Sequence, residues 1–154
     1  MDMSLKVDAR WLDQEQQKIW RNYLLGSARI TAYLDEDLRK FNLDLSEYEI
    51  LVALSEAPNR QLRMSALAAL VHQSRSRLTH AVSRLEKDGY VIRTACPQDR
   101  RGVLAELTVE GYSMLELAAP SHVEAVRRIF VDVVDPADYA AIGRAMIAVL
   151  NVQD

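Results

Sequence analysis

Residues 74–108 read SRSRLTHAVSRLEKDGYVIRTACPQDRRGVLAELT, and this stretch decides the fold. Its first part repeats apolar side chains at helical spacing, and Gly89 follows in the position that favours a left-handed helix end. Residues 90–94 are rich in β-forming side chains, and residues 103–108 alternate apolar and polar positions. The stretch therefore predicts a helix followed by a β-hairpin.

The predicted helix has an unusual polar face. A surface helix that only needs solubility mixes Glu and Lys, whereas this face carries short hydroxyls, a histidine and arginines. Such side chains reach base edges and phosphates in the major groove of DNA, which admits one helix. A merely solvated helix is the alternative. The face consists of Ser76, Thr79, His80, Ser83, Arg84 and Lys87, with Arg77 at its margin.

The tip of the predicted hairpin adds a second basic element. Asp99 is followed there by Arg100 and Arg101. A carboxylate beside two arginines can fix a guanidinium for insertion into a narrow, electronegative minor groove. An ordinary charged turn is the alternative, but it does not explain why helix and tip are both basic.

The charge of the chain is unevenly distributed. The net charge is −3, yet residues 60–101 carry nine cations and three anions, which gives +6. The remainder carries ten cations and nineteen anions, which gives −9. A basic segment between acidic flanks is expected when one face of a protein meets a polyanion.

Further helices are predicted before this stretch. Residues 13–41 predict one long amphipathic helix. Ser46, with Glu49 three residues later, predicts a capping-box start for a second helix, and Ser65 predicts the cap of a third. The polar residues 72–74 separate the third helix from the basic one. The order helix, turn, helix, hairpin predicts a winged helix-turn-helix module over about residues 46–108.

Two helices are predicted after the hairpin, within residues 109–150. The first begins near Val109 and is expected to bend at Pro120, and Pro136 opens the second. Their apolar positions repeat at three- and four-residue spacing, a pattern suited to packing on another helix. A core this small cannot cover the apolar faces of these two helices and of residues 13–41. We therefore expect these faces to be buried against a second copy of the chain, related by a twofold axis. A compact helical monomer is the alternative.

Composition narrows the function classes. With 154 residues, 49% of them apolar, the chain fits one well-folded domain, and its low aromatic and glycine content favours helices. A single cysteine rules out an intrachain disulfide, and no apolar run approaches a membrane span or a signal peptide, so we expect a cytoplasmic protein. The three histidines show neither metal-ligand spacing nor a nucleophile partner. We therefore expect no enzyme, no metal and no cofactor.

The motifs of residues 63–108 resemble the recognition helix and wing of the MarR family. The resemblance in order and spacing extends over about residues 14–150 and makes the whole chain, residues 1–154, one MarR-like domain. The matching motifs are Leu78-Thr79, Arg84-Leu85-Glu86, Asp88-Gly89-Tyr90-Val91, Pro97, Asp99-Arg100-Arg101-Gly102-Val103 and Leu107-Thr108.

The resemblance implies a mainly α fold with a small β-hairpin wing, and a homodimer intertwined through its terminal helices. Such a dimer binds double-stranded DNA at a pseudo-palindromic operator and is commonly released by a small ligand or by oxidation. Arg101 would then enter the minor groove, with Asp99 as its orienting partner, and Arg75 and Arg100 would contact phosphates. The implied recognition-helix contacts are Ser76, Arg77, Thr79, His80 and Arg84.

Several questions stay open at this stage. Cys96 departs from the family pattern and is either a redox sensor, favoured by neighbouring arginines, or an incidental surface thiol. Trp20 and Tyr23 either stack on an aromatic effector or belong to the core or the dimer interface. His72 is expected in the turn before the basic helix, where it caps or packs. A repressor is the usual mode in this family, and an interaction adaptor without specific DNA binding is the alternative.

Overall fold

The computed structural model describes residues 9–153, which form six α-helices and one three-stranded antiparallel sheet. This confirms the mainly α fold with a β-hairpin wing. The helices are α1 (Gln14–Leu38), α2 (Leu45–Glu56), α3 (Met64–Val71), α4 (Arg75–Lys87), α5 (Val109–Val126) and α6 (Pro136–Leu150). The strands are β1 (Gln61–Arg63), β2 (Val91–Cys96) and β3 (Asp99–Leu107). Single turns of 3-10 helix span Arg39–Phe41 and Pro58–Arg60, and a π-helical turn spans Arg127–Val131.

The sheet has one strand that the sequence pattern did not predict. The strand order is β1-β3-β2, and β1 pairs with β3 through Gln61 opposite Glu106 and Arg63 opposite Leu104. Three residues are too few to show an alternating pattern, which explains why β1 was missed. Its consequence is that the wing is joined to the start of α3 as well as to the end of α4.

Two of the predicted helix caps are wrong. Helix α2 begins one residue before Ser46, and its cap is Asp44, whose Oδ1 accepts a hydrogen bond from the Glu47 amide at 2.7 Å. Helix α3 follows β1 directly, so extended Arg63 precedes it without a side-chain cap, and Ser65 lies inside the first turn. The predicted left-handed end of α4 is confirmed, because Gly89 has φ +81°.

The core lies between α2, α4 and the sheet. The apolar side of α4 that the helical wheel predicted is buried, with Leu78, Ala81, Val82 and Leu85 at most 1% exposed. Burying a side chain of Leu or Val size contributes about 1.5–3 kcal/mol, so this packing fixes α4 with its polar face outward. The other large, fully buried side chains are Leu38, Ile50, Leu51, Leu54, Leu67 and Val91.

The terminal helices leave apolar side chains uncovered within the chain. Among the described residues, α6 has no buried side chain, and α5 continues through Pro120 to an irregular turn at Arg127–Val131. No helix in residues 9–153 is long and apolar enough to cross a membrane. The large exposed apolar residues of these helices include Ile19, Trp20, Leu24, Leu25, Val123, Ile147, Val149 and Leu150.

Candidate nucleic-acid interface

The polar face of α4 is exposed and has a rigid backbone. Ser74 caps the helix, its Oγ accepting from the Arg77 amide at 3.2 Å. Two hydroxyls donate to carbonyls one turn earlier, Thr79 to that of Arg75 and Ser83 to that of Thr79, each at 2.8 Å. These hydroxyl oxygens keep lone pairs that can accept from a base edge. The predicted contacts Ser76, Arg77, Thr79, His80 and Arg84 are all exposed.

The wing holds its arginines by a different contact from the one expected. Asp99 was expected to orient the Arg101 guanidinium, but its Oδ1 accepts from the Arg101 backbone amide at 3.0 Å. Its Oδ2 lies 3.7 Å from Nη1 of Arg63, on β1. Asp99 therefore fixes the backbone of the wing and leaves the Arg101 side chain exposed. Arg63 was missed as a site residue, because only the unpredicted pairing of β1 with β3 brings it to the wing.

A basic cleft separates α4 from the wing. Its volume is about 400 Å³, and four arginines line it together with Thr79 and the carboxylate of Asp99. Four cations around one cleft attract phosphate oxygens, which arginine binds through two parallel hydrogen bonds. The four are Arg63, Arg75, Arg93 and Arg101.

Arg93 connects the wing to α4. Its Nε donates to Glu86 Oε2 at 3.0 Å, and its Nη2 donates to Glu86 Oε1 and to Ser83 Oγ, each at 3.3 Å. These hydrogen bonds lower the pKa of Glu86. A bidentate pair is geometrically more specific than a single contact, so it connects β2 of the wing to α4 in one defined arrangement.

Arg84 lies at the other edge of the polar face, against α2. Its Nε lies 3.2 Å from Glu47 Oε1, and its Nη2 lies 3.3 Å from Asp44 Oδ2. The side chain of Arg84 is 51% exposed, whereas that of Glu47 is 8% exposed. Burial of the carboxyl, with the charge of Asp44, raises the pKa of Glu47 to about 7, although Arg84 lowers it. The predicted DNA contact is thus paired with two carboxylates in the free chain.

Cys96 is not the incidental surface thiol that was one of the two hypotheses for this residue. Its side chain is buried at the end of β2, 6% exposed. A Cβ placed on Gly102 would lie 3.1 Å from the Cβ of Cys96, so the two strands are close at this point. The low exposure of Cys96 favours slow reaction of its thiol with reagents in solution.

A second cleft, of about 980 Å³, lies between α1, α2, the end of α3 and α5. His72 lines it in a left-handed conformation at the end of α3, in the predicted turn, and the His122 ring lies 4.1 Å from that of Tyr48. Burial lowers the pKa of His122, against the opposing charge of Asp37. Nδ1 of His122 is buried and has no hydrogen-bond partner among the described residues.

Trp20 and Tyr23 do not belong to the lining of this cleft. Their rings stack on each other at 5.9 Å on the outside of α1, and they are 52% and 46% exposed. Within residues 9–153, no group of three His, Cys, Asp or Glu side chains could hold a metal ion.

The order of these helices and strands defines a winged helix-turn-helix protein. Helices α2, α3 and α4, followed by the β2-β3 wing, form a winged helix-turn-helix module with arginines on its recognition helix and wing. Modules of this class bind DNA with the recognition helix in the major groove.

Comparisons with known proteins identify the family. The model of the MarR family matches residues 41–102. The transcriptional regulator PecS of Dickeya dadantii is 32% identical over 120 residues, which cover 77% of this chain and 72% of PecS. The chain belongs to the MarR family of DNA-binding transcriptional regulators.

Two solved structures from Streptomyces coelicolor agree with this assignment. Sco3205, a MarR family regulator crystallised in complex with DNA, is 43% identical, with a TM-score of 0.88 over 92% of this chain and 89% of Sco3205. AbsC, also a MarR family regulator, is 40% identical, with a TM-score of 0.86 over 92% of this chain and 96% of AbsC.

Proposed function

We propose that the protein is a homodimeric repressor that binds an inverted-repeat operator and is released by a small ligand. The observation that carries the proposal is the arginine-lined cleft between the exposed face of α4 and the wing. A 43% identical relative with this fold, crystallised with DNA, supports it. Such a regulator acts where the chromosome is, so the proposal includes a cytoplasmic location.

The proposed contacts fall into three groups. The side chains of Ser76, Arg77, Thr79 and His80 face base edges in the major groove, with Arg84 at the end of the same face. Arg101 enters the minor groove from the wing, whose backbone Asp99 fixes. Arg75 and Arg100 bind phosphates and add affinity without adding sequence information.

The proposed dimer uses the uncovered apolar faces of the terminal helices. Residues 13–41 and 109–150 present these faces on α1, α5 and α6. A twofold axis would bury them and would place two copies of α4 about 34 Å apart, one turn of the DNA helix. Trp20 and Tyr23, which are stacked and half exposed, fit this interface better than a role in ligand stacking.

The cleft of about 980 Å³ is the proposed effector site, because its size suits a small organic molecule. Its walls combine aliphatic side chains with Tyr48, His72 and His122, so an aromatic effector could stack on Tyr48. His122 lines the cleft, while its Nδ1 is buried and has no hydrogen-bond partner among the described residues. The lining joins α1 and α5 to α2 and α3, so a bound ligand would contact both the proposed dimerisation helices and the winged module.

The contact assignment is tested by titrating an operator duplex, selected from a random pool, with the wild type and two variants. Arg101→Ala is expected to weaken specific binding by about 1–3 kcal/mol. Arg128→Ala is the matched control, because it also removes one exposed cation, but from an ion pair with Glu124 on the helix after the wing. Equal affinity of Arg101→Ala and the wild type would refute the role of Arg101 in the wing.

A further inference from the structure

We infer that DNA and the carboxylates of Asp44 and Glu47 compete for Arg84, so that each chain takes up a proton at Glu47 when it binds DNA. The inference rests on the proposed binding of DNA by the α4 face. It makes the operator affinity of this regulator depend on pH in the neutral range.

The first step is the position of Arg84. It follows Arg77 by seven residues, two helical turns, so both lie on the same face of α4, roughly 10 Å apart along the axis. Its guanidinium is half exposed, and its hydrogen bonds to Glu47 and Asp44 are 3.2 and 3.3 Å long, at the long end of the range. A phosphate that approaches this end of α4 can therefore draw the guanidinium away from the carboxylates.

The second step is the cost of leaving Glu47 behind. Glu47 is the only buried charged residue among those the structure describes. Asp44 cannot offset the loss, because it is itself an anion and one of its oxygens caps α2. A buried carboxylate without its cation is strongly disfavoured, and the negative potential of DNA adds to the penalty. Protonation removes the penalty.

The third step is that no other described group supplies a charge to Glu47. Asp44 and Arg84 are the charged groups that act on its pKa. None of the other ionisable side chains on the elements packed against α2 acts on the pKa of Glu47. On α4 these are Arg75, Arg77, His80, Glu86 and Lys87. On α1, Asp35 accepts a hydrogen bond from the Leu45 amide, and on α5 the ring of His122 lies against that of Tyr48. Arg60, which follows α2, lies over the ring of Tyr112. Helix α3 has no ionisable side chain. On β3, Asp99 pairs with Arg63, and Arg100, Arg101 and Glu106 do not act on Glu47.

The sign of the effect follows. In the free chain the pKa of Glu47 is about 7. Loss of Arg84 to a phosphate, together with the field of DNA, raises the pKa further in the complex. The complex therefore binds the proton more tightly, and DNA affinity falls as pH rises through 7. A rise of one pKa unit on binding corresponds to a change of about tenfold in affinity per chain.

The test measures the dissociation constant by fluorescence anisotropy between pH 6 and 8.5. His80 lies on the same polar face of α4 as Arg84, so all proteins carry His80→Gln, and the operator duplex is selected with this parent. The proposed dimer carries two copies of Glu47, so the parent is expected to bind the operator up to about a hundredfold more weakly at pH 8.5 than at pH 6, about tenfold for each chain. Glu47→Gln, which mimics the protonated acid, should bind with the low-pH affinity throughout. Arg84→Ala should bind more weakly and show a smaller pH dependence than the parent, because only the field of DNA then acts on Glu47.

The inference fails if Glu47→Gln shows the same pH dependence as its parent, or if the parent shows none. If Glu47→Gln does not fold, Arg84→Ala decides: a pH dependence as large as that of the parent overturns the inference. Calorimetry of the parent in two buffers of different ionisation enthalpy gives the number of protons taken up at pH 7, and no net uptake also overturns it.

Two DNA probes separate this inference from the proposed function. The first is the selected operator duplex, and the second is a random duplex of about 30 base pairs at low salt, which measures the electrostatic part of binding alone. If only the random duplex is bound, specific recognition fails, but the pH titration of Glu47→Gln still tests the competition for Arg84.

Discussion

The substitution Gly111→Ala should weaken the packing of α5 against the base of the wing. A Cβ at this position would lie 2.2 Å from the Tyr90 carbonyl oxygen and 2.7 Å from Cδ1 of Leu107. Tyr90 cannot easily move, because its amide donates to Leu85 O at 2.9 Å and its carbonyl accepts from the Thr108 amide at 3.0 Å. Gly111→Ala must therefore shift the backbone of Tyr90 relative to α5, which strains or breaks one of these hydrogen bonds, and it must also displace the side chain of Leu107.

The expected loss of stability follows from three effects. Overpacking costs about 1–3 kcal/mol, a broken hydrogen bond costs about 1 kcal/mol, and replacing a helical glycine by alanine regains up to about 1 kcal/mol. The free energy of unfolding should thus fall by about 2 kcal/mol. For a chain of 154 residues this corresponds to a Tm lowered by about 4–8 °C.

The measurement is urea unfolding followed by circular dichroism at one fixed protein concentration, since the proposed dimerisation would couple stability to concentration. Val109→Ala is the matched control, because Val109 is 74% exposed in the same first turn of α5, and its substitution should change stability by less than about 0.5 kcal/mol. Equal stability of Gly111→Ala and the wild type would show that the wing and α5 do not meet as described.

Three further results are expected. Glu47→Gln should be more stable than the wild type by about 1–3 kcal/mol at pH 8, because a carboxyl whose folded pKa is raised to about 7 destabilises the fold above that pH. The difference should vanish below pH 4.5, the ordinary pKa of a glutamate side chain, and a difference that is constant with pH would contradict the burial of Glu47. Cys96, 6% exposed, should react with a disulfide reagent at least about tenfold more slowly in the native protein than in urea, and equal rates would place it at the surface. In sedimentation equilibrium the chain of 17.5 kDa should appear at twice that mass, 35 kDa, and a concentration-independent monomer would contradict the proposed dimer.

Local sequence patterns predicted the parts of the interface that lie within one element. The buried side of α4, from Leu78 to Leu85, follows from helical periodicity, and the left-handed turn at Gly89 follows from glycine's freedom at positive φ. The basic tip of the wing follows from the order of residues 99–101. These features need no knowledge of distant parts of the chain.

Contacts between distant residues were not predictable in the same way. Glu47 and Arg84 are 37 positions apart, and the pairing of Arg63 with Asp99 depends on a three-residue strand. The wrong cap at Ser46 has a related cause. Asp44 and Ser46 are both good caps, and their choice depends on where packing lets α2 begin. Tertiary structure decides such alternatives.

The central claim is that two copies of α4 read an inverted repeat. Its most direct test is the selection of bound fragments from the source genome by reduced protein at near-physiological salt, followed by footprinting. The expected result is enrichment of a short inverted repeat whose half-sites are about one helical turn apart, with protection of the major groove in each half-site. Recovery of random fragments, or of none, would contradict it and would favour an interaction adaptor with a winged helix fold.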